Sequence, residues 1–431
     1  MGKLFGTDGI RGVANETLDC RLAYRVGQAA AISLTKKPGV KPSVVIGKDT
    51  RISSDMLEGA LIAGLTASGC NVVRLGVIPT PGVAYLTVKL HADAGVVISA
   101  SHNPFEHNGI KMFSGEGFKL SDALEEEIES LILREGELPV KTGAALGQVM
   151  DGAFTAEQYL DHLASTVGQL PRMRVLIDCA NGAASATARK LFSRFALNVD
   201  YINDTPNGVN INNHCGSTHI EMLAEKVREG GYALGLAFDG DQIMAICADT
   251  LTKQGKLTGS GFVATVMSNI GLHKYCAEHG LRLLCAAVGD RNVLEMMQRE
   301  GMALGGEQSG HIIFLEHMTT GDGQLAALQL LSILAQSGRR ASELASAVTR
   351  YPQVLLNVRV GGNDEKKAIM ESPLLGEAIR KAEAGLGGNG RVLVRASGTE
   401  PLIRVMVEAG SEQSARETAE TLVHAVENLQ K

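Results

Sequence analysis

The stretch that decides the fold is AGVVISASHNPFEHNGIKMF, residues 94–113. Residues 95–98 are apolar on both faces, which is typical of a buried strand in a parallel sheet. Pro104 has no backbone N–H and disfavours the helical region for the residue before it, so a loop containing Ser101 should follow the strand. Open α/β sheets bind ligands beyond the carboxyl ends of their strands. The stretch therefore predicts an α/β fold with Ser101 on the ligand side of the sheet.

The composition is that of a large globular protein. Single hydrophobic cores stop growing at about 250–300 residues, so a chain of 431 residues predicts several domains. The net charge of −6 and the lack of tryptophan argue against a nucleic-acid surface, and no apolar run is long enough to span a membrane. Seven dispersed cysteines without a CxxC pair indicate free thiols, and the first residues lack the apolar core of a signal peptide. We therefore expect a cytoplasmic protein without nucleic-acid or membrane partners; a monomer and a homodimer both remain open.

Strand and helix patterns divide the chain into four parts. Three of them, residues 1–145, 150–250 and 251–365, repeat the strand–helix alternation of α/β domains with right-handed crossovers. Residues 366–431 contain a glycine-rich joint at 385–390, then two strands and a final helix, and predict a small α+β domain. The helix expected at 122–135 carries a run of acidic residues, which we interpret as a solvated face.

Several polar groups stand near predicted strand ends. Arg11, in FGTDGIRG, offers a bidentate guanidinium beside flexible backbone and suits a phosphate, although a glycine-rich turn would have the same sequence. Arg51 ends the strand expected at 43–47, and Lys111 lies on the strand-like residues 109–113. Arg51 is therefore expected on the ligand side of the first sheet.

Two later loops have the chemistry of ligand sites. RASGTEPLIR, residues 395–404, combines hydroxyls, a glycine that can present its backbone N–H and two guanidinium groups, which suits an anion, although such loops are more often plain turns. GGEQSGH, residues 305–311, precedes a strand expected at 312–315. Glu307 and Ser309 alternate along its start, so both side chains would face one ligand; a polar turn is the alternative.

The motifs together resemble one family. S-A-S-H-N-P followed by N-G-I-K is similar to the phosphoserine loop of the α-D-phosphohexomutases, in which the position of Ser101 carries the transferred phosphoryl group. FGTDGIRG, K-D-T-R, G-E-Q-S-G-H and R-A-S-G-T-E-P-L-I-R resemble further motifs of that family, over essentially the whole chain. The resemblance implies three related α/β units with mixed sheets around a central cleft, plus a small C-terminal α+β domain.

The resemblance also implies roles for the candidate residues. Lys111 or His102 would shuttle the proton, and Lys111 is favoured because a lysine with a lowered pKa suits that role. Arg11 would contact phosphate and Arg51 would brace the serine loop. The sugar would be held by Glu307, Ser309 and His311, and the phosphate that does not react by Arg395, Ser397, Gly398, Thr399 and Arg404. The glutamine in G-E-Q-S-G-H is typical of the branch that interconverts glucosamine 6-phosphate and glucosamine 1-phosphate.

The metal loop departs from the family pattern. The family loop, D-G-D-x-D-R, places three carboxylates around one Mg²⁺, whereas this chain reads D-G-D-Q-I-M from Asp239. Relatives of this branch carry a second D-G-D that often continues as Q-I-M, so the simplest hypothesis is that the segment between the two copies is missing. We expect one Mg²⁺ ion, weakly bound by Asp239, Asp241 and a phosphorylated Ser101.

Three alternatives are weighed against this interpretation. A phosphoglucomutase or phosphomannomutase would differ in its preferred sugar. A catalytically impaired variant would bind sugar phosphate without turning it over, and the shortened Asp239 loop is its signature. A dinucleotide-binding enzyme is rejected because no G-x-G-x-x-G follows a predicted strand.

Overall fold

The structure, a computed structural model, describes residues 4–6, 9–35, 39–236, 240–397 and 400–430, without the side chains of residues 240–242. The chain divides into an N-terminal unit, Met1–Val266 with Leu284–Ala345, and a C-terminal unit, Met267–Leu283 with Ser346–Lys431. The two units are described separately below.

The N-terminal unit begins with a six-stranded mixed sheet of order β1-β5-β4-β2-β3-β6. Its elements are β1 (Ile10–Val13), α1 (Cys20–Leu34), β2 (Ser43–Lys48), α2 (Ser53–Ala67), β3 (Asn71–Val77), α3 (Thr80–Lys89), β4 (Ala94–Ile98), β5 (His107–Ser114), α4 (Asp122–Leu133) and β6 (Val149–Asp151). All five residues of β4 are buried, as its apolar sequence predicts. β4 runs parallel to β2 but antiparallel to β5, so the sheet is mixed at the strand that precedes Ser101.

The second part contains a parallel three-stranded sheet of order β8-β7-β9. Its elements are α5 (Ala156–Ser165), β7 (Arg174–Asp178), α6 (Ala188–Phe192), β8 (Asn198–Ile202), α7 (Glu221–Gly230) and β9 (Leu234–Leu236). Gly231 ends α7 in the left-handed conformation, with φ 63°, and donates its N–H to Val227 O. The residues that follow β9, 237–239, lie outside the described residues.

The third part has a four-stranded sheet of order β11-β10-β12-β13, in which β10 and β12 are parallel and β12 and β13 form an antiparallel hairpin. The elements along residues 240–345, of which α9 lies in the C-terminal unit, are α8 (Gly240–Lys253), β10 (Gly261–Thr265), α9 (Ile270–Glu278), β11 (Arg282–Ala286), α10 (Asp290–Glu300), β12 (Leu304–Gly306), β13 (Ile312–Phe314), α11 (Gly323–Ser337) and α12 (Ala341–Ala345). α5 packs on α11, where the buried Tyr159 hydroxyl donates to Asp322 Oδ2 at 2.7 Å. The predicted three α/β parts are therefore present.

The C-terminal unit is built on an antiparallel sheet of order β14-β16-β15. Its remaining elements are β14 (Gln353–Arg359), α13 (Asn363–Met370), α14 (Pro373–Gly385), β15 (Arg391–Ala396), β16 (Leu402–Glu408) and α15 (Glu412–Asn428). α9 belongs to this unit although it precedes it in the chain. The α+β fold agrees with the prediction, but β14 was missed, so the sheet of this unit begins before residue 366.

No helix within the described residues combines the length and the apolar character needed to cross a membrane.

Candidate functional site

The loop after β4 holds Ser101 in a strained conformation. Its φ is 56°, in the left-handed region that non-glycine residues enter at a cost of about 1–3 kcal/mol. Arg51, only 2% exposed, donates from Nη2 to Ser101 O at 2.8 Å and to Asn103 O at 2.9 Å. Asp49 fixes that guanidinium by accepting from its Nε at 2.9 Å. The prediction that Arg51 braces the serine loop is confirmed.

Arg11 and Lys111 share one face of the first sheet. Arg11 is paired with Gly109 across β1 and β5, and Lys111 lies two residues further on, so its side chain points to the same side. Gly109 leaves room for the stem of the Arg11 side chain, since an added Cβ would lie 3.1 Å from Arg11 Cγ. Burial, followed by the nearby charges of Arg11 and Lys119, lowers the pKa of Lys111 to about 7. Lys111 can therefore change protonation state near neutral pH.

An ion pair that the sequence analysis missed lies beside these cations. Lys119 Nζ is 2.7 Å from Asp290 Oδ1, at the first residue of α10. Burial alone would raise the pKa of Asp290, but Lys119 and His311 outweigh that effect and lower it. The pair joins residues 171 positions apart, so no local sequence pattern could indicate it.

The predicted sugar loop forms the turn of a hairpin. Glu307 and Ser309 lie between β12 and β13, so the expectation that they alternate along a strand was wrong. Glu307 N donates to His311 O at 2.8 Å, and Glu307 Oε2 accepts from Gly289 N at 3.0 Å. His311 Nδ1 is 3.8 Å from Glu307 Oε1. The turn therefore holds a carboxylate that is only 8% exposed against the loop before α10.

These groups line two neighbouring cavities of the N-terminal unit. A cavity of about 510 Å³ is bordered by Arg11, Ser101, His102, Glu307, Ser309 and His311. A cavity of about 290 Å³ also touches Ser101, His102, Ser309 and His311, and adds Lys111, Lys119 and Asn212. Burial, followed by Arg11 and His311, lowers the pKa of His102. The predicted serine, lysine, arginine and sugar-loop residues therefore come together.

The acidic helix α4 is partly the solvated face that was predicted, since Asp122, Glu126 and Glu127 are exposed, but Glu129 is only 8% exposed. Asp122, Glu125, Glu126 and Glu129 border the larger cavity. Glu129 Oε2 accepts from Leu4 N at 2.9 Å and from Phe5 N at 3.0 Å, which ties the start of the chain to α4. Arg291 lies 2.6 Å from Asp122 Oδ1 and 3.4 Å from Glu125 Oε2. The carboxylates bind segments that are distant in sequence, which a local charge count does not reveal.

The predicted phosphate loop lies in the C-terminal unit. Arg395 and Arg404 are directly paired across β15 and β16. Both Nε atoms are buried and have no hydrogen-bond partner among the described residues. Burial, followed by the charge of Arg404, lowers the pKa of Arg395. Ser397 O accepts from Lys366 Nζ at 2.7 Å, whereas Gly398 and Thr399 lie outside the described residues. Arg404 Nη2 pairs with Glu400 Oε2 at 2.8 Å, which offsets part of the charge of the two facing guanidinium groups. Like charges directly opposite each other are unfavourable, so a bound anion would offset the rest.

Of the three predicted metal ligands, Ser101 lies within the described residues. Asp239 and the side chain of Asp241 lie outside the described residues. Within the described chain, no three His, Cys, Asp or Glu residues are grouped to hold a metal ion. Asp249 does not replace the missing ligand: it follows Asp241 by eight residues, about 12 Å along α8, and pairs with Lys253 at 2.6 Å.

Models of one protein family match almost the whole chain. The four domains described as phosphoglucomutase/phosphomannomutase domains I, II and III and the C-terminal domain match residues 2–138, 157–250, 239–351 and 355–425. The models of domains II and III both match residues 239–250, the segment that begins at the shortened metal loop.

Curated relatives match over similar lengths. The phosphoglucosamine mutase of Moorella thermoacetica is 52% identical, with 95% of each chain covered. That of Exiguobacterium sp. is 50% identical, covering 99% of this chain and 98% of the relative. The phosphoglucosamine mutase of Carboxydothermus hydrogenoformans is also 50% identical, and the whole of both chains is covered. Its alignment runs over 449 positions against the 431 residues of this chain, so at least 18 positions have no counterpart here.

Solved structures share the fold at low sequence identity. A phosphoglucomutase/phosphomannomutase family protein of Burkholderia thailandensis has a TM-score of 0.79 at 22% identity, covering 100% of this chain and 98% of its own. An Aspergillus fumigatus N-acetylphosphoglucosamine mutase, solved with GlcNAc-6P and magnesium, has a TM-score of 0.73 at 18% identity, covering 99% and 96%. The chain belongs to the phosphoglucomutase/phosphomannomutase family of phosphohexomutases.

Proposed function

We propose that this phosphohexomutase interconverts glucosamine 6-phosphate and glucosamine 1-phosphate through a phosphoserine at Ser101, in amino-sugar synthesis in the cytoplasm. The observation that carries the proposal is the shared cavity of Ser101, Arg11, Glu307, Ser309 and His311, of about 510 Å³. Identities of about 50% with phosphoglucosamine mutases over nearly the whole chain support this choice of substrate.

The proposed reaction moves one phosphoryl group at a time. A sugar hydroxyl attacks phospho-Ser101, so a sugar O–P bond forms as the Ser101 Oγ–P bond breaks, which gives a bisphosphate. The bisphosphate then turns round, and its other phosphoryl group returns to Ser101 Oγ. Phosphoryl transfer depends mostly on positioning and charge neutralisation. Arg11 would supply positive charge beside the transferring group.

Lys111 is the proposed proton carrier. Its pKa of about 7 allows it to accept the proton of the attacking hydroxyl and to return one to the departing oxygen. His102 is the alternative, but it is less buried than Lys111, which is 9% exposed. The role of Lys111 is to accept and return a proton at Nζ.

Separate groups of residues are proposed to bind the sugar and its distal phosphate. Glu307, Ser309 and His311 would bind the sugar hydroxyls. The phosphate that does not react would be held by Arg395, Ser397, Gly398, Thr399 and Arg404. The two buried Nε atoms without partners in the described part of the C-terminal unit support an anion there.

Mg²⁺ is expected to bind weakly, through Asp239, Asp241 and the phosphate on Ser101. Mg²⁺ usually keeps several waters and takes one or two carboxylates plus phosphate oxygens, so this donor set meets its minimum requirement. When bound, the ion would neutralise charge on the transferring phosphoryl group. The sequence D-G-D-Q-I-M lacks the third carboxylate, and the overlap of two domain models at residues 239–250 supports a deletion there.

The substrate is tested by comparing kcat/KM for glucosamine 6-phosphate with that for glucose 6-phosphate and mannose 6-phosphate. We expect the amino sugar to be preferred, and Ser101→Ala to abolish turnover. A strong preference for either plain hexose would replace the proposed substrate by that sugar.

A sugar-phosphate-binding protein without turnover is the second candidate, favoured by the shortened loop at Asp239. Intact-mass measurement separates the two candidates. A phosphate on Ser101 that disappears when glucosamine 6-phosphate is added supports the mutase, whereas a phosphate that persists supports the binding protein.

A further inference from the structure

The carbonyl groups that Arg51 binds receive a second set of hydrogen bonds, from another part of the unit. Asn212 Nδ2 donates to Ser101 O at 2.9 Å and to Asn103 O at 3.1 Å. Each of the two carbonyl oxygens therefore accepts one hydrogen bond from a cationic guanidinium and one from a neutral amide. A carbonyl oxygen has two lone pairs, so both donors can bind at once.

The segment that carries Asn212 is itself held in strained backbone. Asn212, Ala180, Asn181 and Asn203 all have positive φ, between 49° and 58°. Asparagine tolerates this region better than most residues, whereas alanine rarely adopts it. Strained residues that surrounding contacts hold in place concentrate at functional sites. The strain here lies beside the serine loop, where Asn212 borders the same cavity as Ser101.

One carboxylate ties these strained loops together. Asp178, at the end of β7, accepts from Ala180 N at 2.8 Å, from Asn203 Nδ2 at 3.0 Å and from Gly216 N at 2.9 Å. Asn212 N then donates to Ala180 O at 3.0 Å. The position of the Asn212 amide is therefore fixed from the strand end of the second sheet.

The same loops also contact the segment that carries Arg51. Thr50 Oγ1 donates to Asn181 O at 2.6 Å, and Ile52 N donates to Gly208 O at 2.9 Å. The segment that carries Arg51 is therefore hydrogen-bonded to the loops around Asn212, through the residue before Arg51 and the residue after it.

We propose that Asn212 is a positioning residue for phosphoryl transfer, because its amide fixes the carbonyl direction of Ser101 and so aims the Ser101 side chain into the cavity. The proposal rests on the proposed transfer at Ser101. Once the carbonyl is fixed and φ is positive, the direction of the Cα–Cβ bond is fixed as well. Without the Asn212 amide, Ser101 O and Asn103 O would keep only their hydrogen bonds from Arg51.

Two substitutions separate the amide from the backbone conformation. Asn212→Gly removes the amide but keeps a residue that adopts positive φ readily, whereas Asn212→Ala removes the amide and also disfavours the conformation. Asn213→Ala is the matched control, because Asn213 is the exposed neighbour and its side chain has no hydrogen bond to the serine loop. The first measurement is the single-turnover rate of phosphate transfer from glucose 1,6-bisphosphate to Ser101, followed by intact mass.

We expect Asn212→Gly and Asn212→Ala both to slow transfer by about 10- to 100-fold, as small misplacements of a reacting group do. Apparent affinity for the bisphosphate should be little changed, and Asn213→Ala should behave as wild type. A wild-type rate in Asn212→Gly would overturn the proposal, because only the backbone conformation would then matter.

Hydrogen–deuterium exchange of residues 99–106 gives a second measurement that does not depend on activity. Exchange in this segment should be faster in Asn212→Gly than in wild type and unchanged in Asn213→Ala. If wild type transfers no phosphate, the proposed function fails, and exchange alone then decides. Unchanged exchange in Asn212→Gly would refute the positioning role.

Discussion

Burial of Lys111 lowers the free energy of unfolding and also gives this lysine the pKa that a proton carrier needs. A buried ammonium beside Arg11 and Lys119 loses hydration and gains repulsion, so its charged form is disfavoured. The ordinary pKa of 10.5 drops to about 7, and each unit corresponds to about 1.4 kcal/mol. The folded chain therefore bears a cost of roughly 4 kcal/mol at pH 7 that an apolar residue would not bear. Such a cost is expected where activity requires a poised base.

The first prediction concerns pH and rate. Only neutral Lys111 can accept a proton, and its neutral fraction grows as pH rises through about 7. The rate of phosphate transfer from Ser101 to the sugar should therefore rise between about pH 6 and pH 8. Lys111→Gln should remove this inflection and lower the rate by about 10²–10⁴-fold. Stopped-flow single turnovers across this range measure the effect, and His102→Gln should keep the inflection. An inflection near pH 7 that survives in Lys111→Gln belongs to the substrate and contradicts the assignment.

The second prediction concerns pH and stability. Because the pKa of Lys111 is lower in the folded chain than in the unfolded chain, the unfolded chain binds more protons between about pH 7 and pH 10.5. The free energy of unfolding should therefore gain from Lys111 as pH rises across that window. Lys111→Met should be more stable than wild type by up to about 4 kcal/mol at pH 7, with the difference fading towards pH 10.

Urea denaturation at pH 7, 8.5 and 10 measures these differences. Lys226→Met, at an exposed position of α7, is the control and should not alter the pH dependence. A Lys111→Met protein that is no more stable than wild type at pH 7 would show that the lysine is charged in the fold.

At the scale of elements, the sequence predicted those whose ends carry a local signal. The helix expected at 122–135 agrees with α4, which Ser121 caps by accepting from Leu124 N, and the strand expected at 43–47 agrees with β2. α3 was expected only from the strand–helix alternation and without bounds, since TPGVAYLTVK contains Pro, Gly and four β-branched residues; packing on β2 and β4 stabilises it.

The same limit applies to the site. Ser101, Arg11 and Lys111 were found because each lies within a short motif of neighbouring residues. The Lys119–Asp290 pair and the contacts of Arg291 with α4 were not found, because each partner is more than 160 positions away. Asn212 was missed for the same reason, since its target is 111 positions away.

The third prediction concerns α8, the helix that begins at the shortened loop. α8 starts at Gly240, the middle residue of the one remaining D-G-D. Inserting after Asp241 a segment that restores D-G-D-x-D-R and a second D-G-D should supply a third carboxylate. We expect Mg²⁺ affinity of the phosphorylated protein, measured by calorimetry, to rise by about 10–100-fold, with kcat rising as well. The same insertion with its third Asp replaced by Asn is the control and should leave affinity near its starting value. Equal Mg²⁺ affinity with and without the insertion would show that the shorter loop costs nothing.

At the scale of the whole molecule, the C-terminal unit is not a continuous piece of chain. The family's C-terminal domain matches residues 355–425, but the unit also contains 267–283. Glu408, which is 0% exposed, accepts from Ile270 N at 2.8 Å and from Arg391 Nε at 3.2 Å. Arg391 Nη2 donates in turn to Ser268 O at 2.7 Å. A buried carboxylate on β16 therefore depends on partners that lie well over 100 residues earlier in the sequence.

The fourth prediction follows from that dependence. A fragment of residues 346–431 lacks Ser268 O and Ile270 N, so Arg391 and Glu408 each lose a hydrogen bond. A hydrogen bond to a charged group contributes about 1.5–3 kcal/mol. We expect this fragment to unfold at a markedly lower urea concentration than the same fragment mixed with a peptide of residues 267–283, as followed by circular dichroism. Glu408→Leu should reduce the benefit of the peptide, because the buried carboxylate that needs Ile270 N is then absent. A scrambled peptide is the control. A fragment that is equally stable with and without the peptide would contradict this prediction. Residues 346–431 would then form the whole cooperative unit, and residues 267–283 would not contribute to its stability.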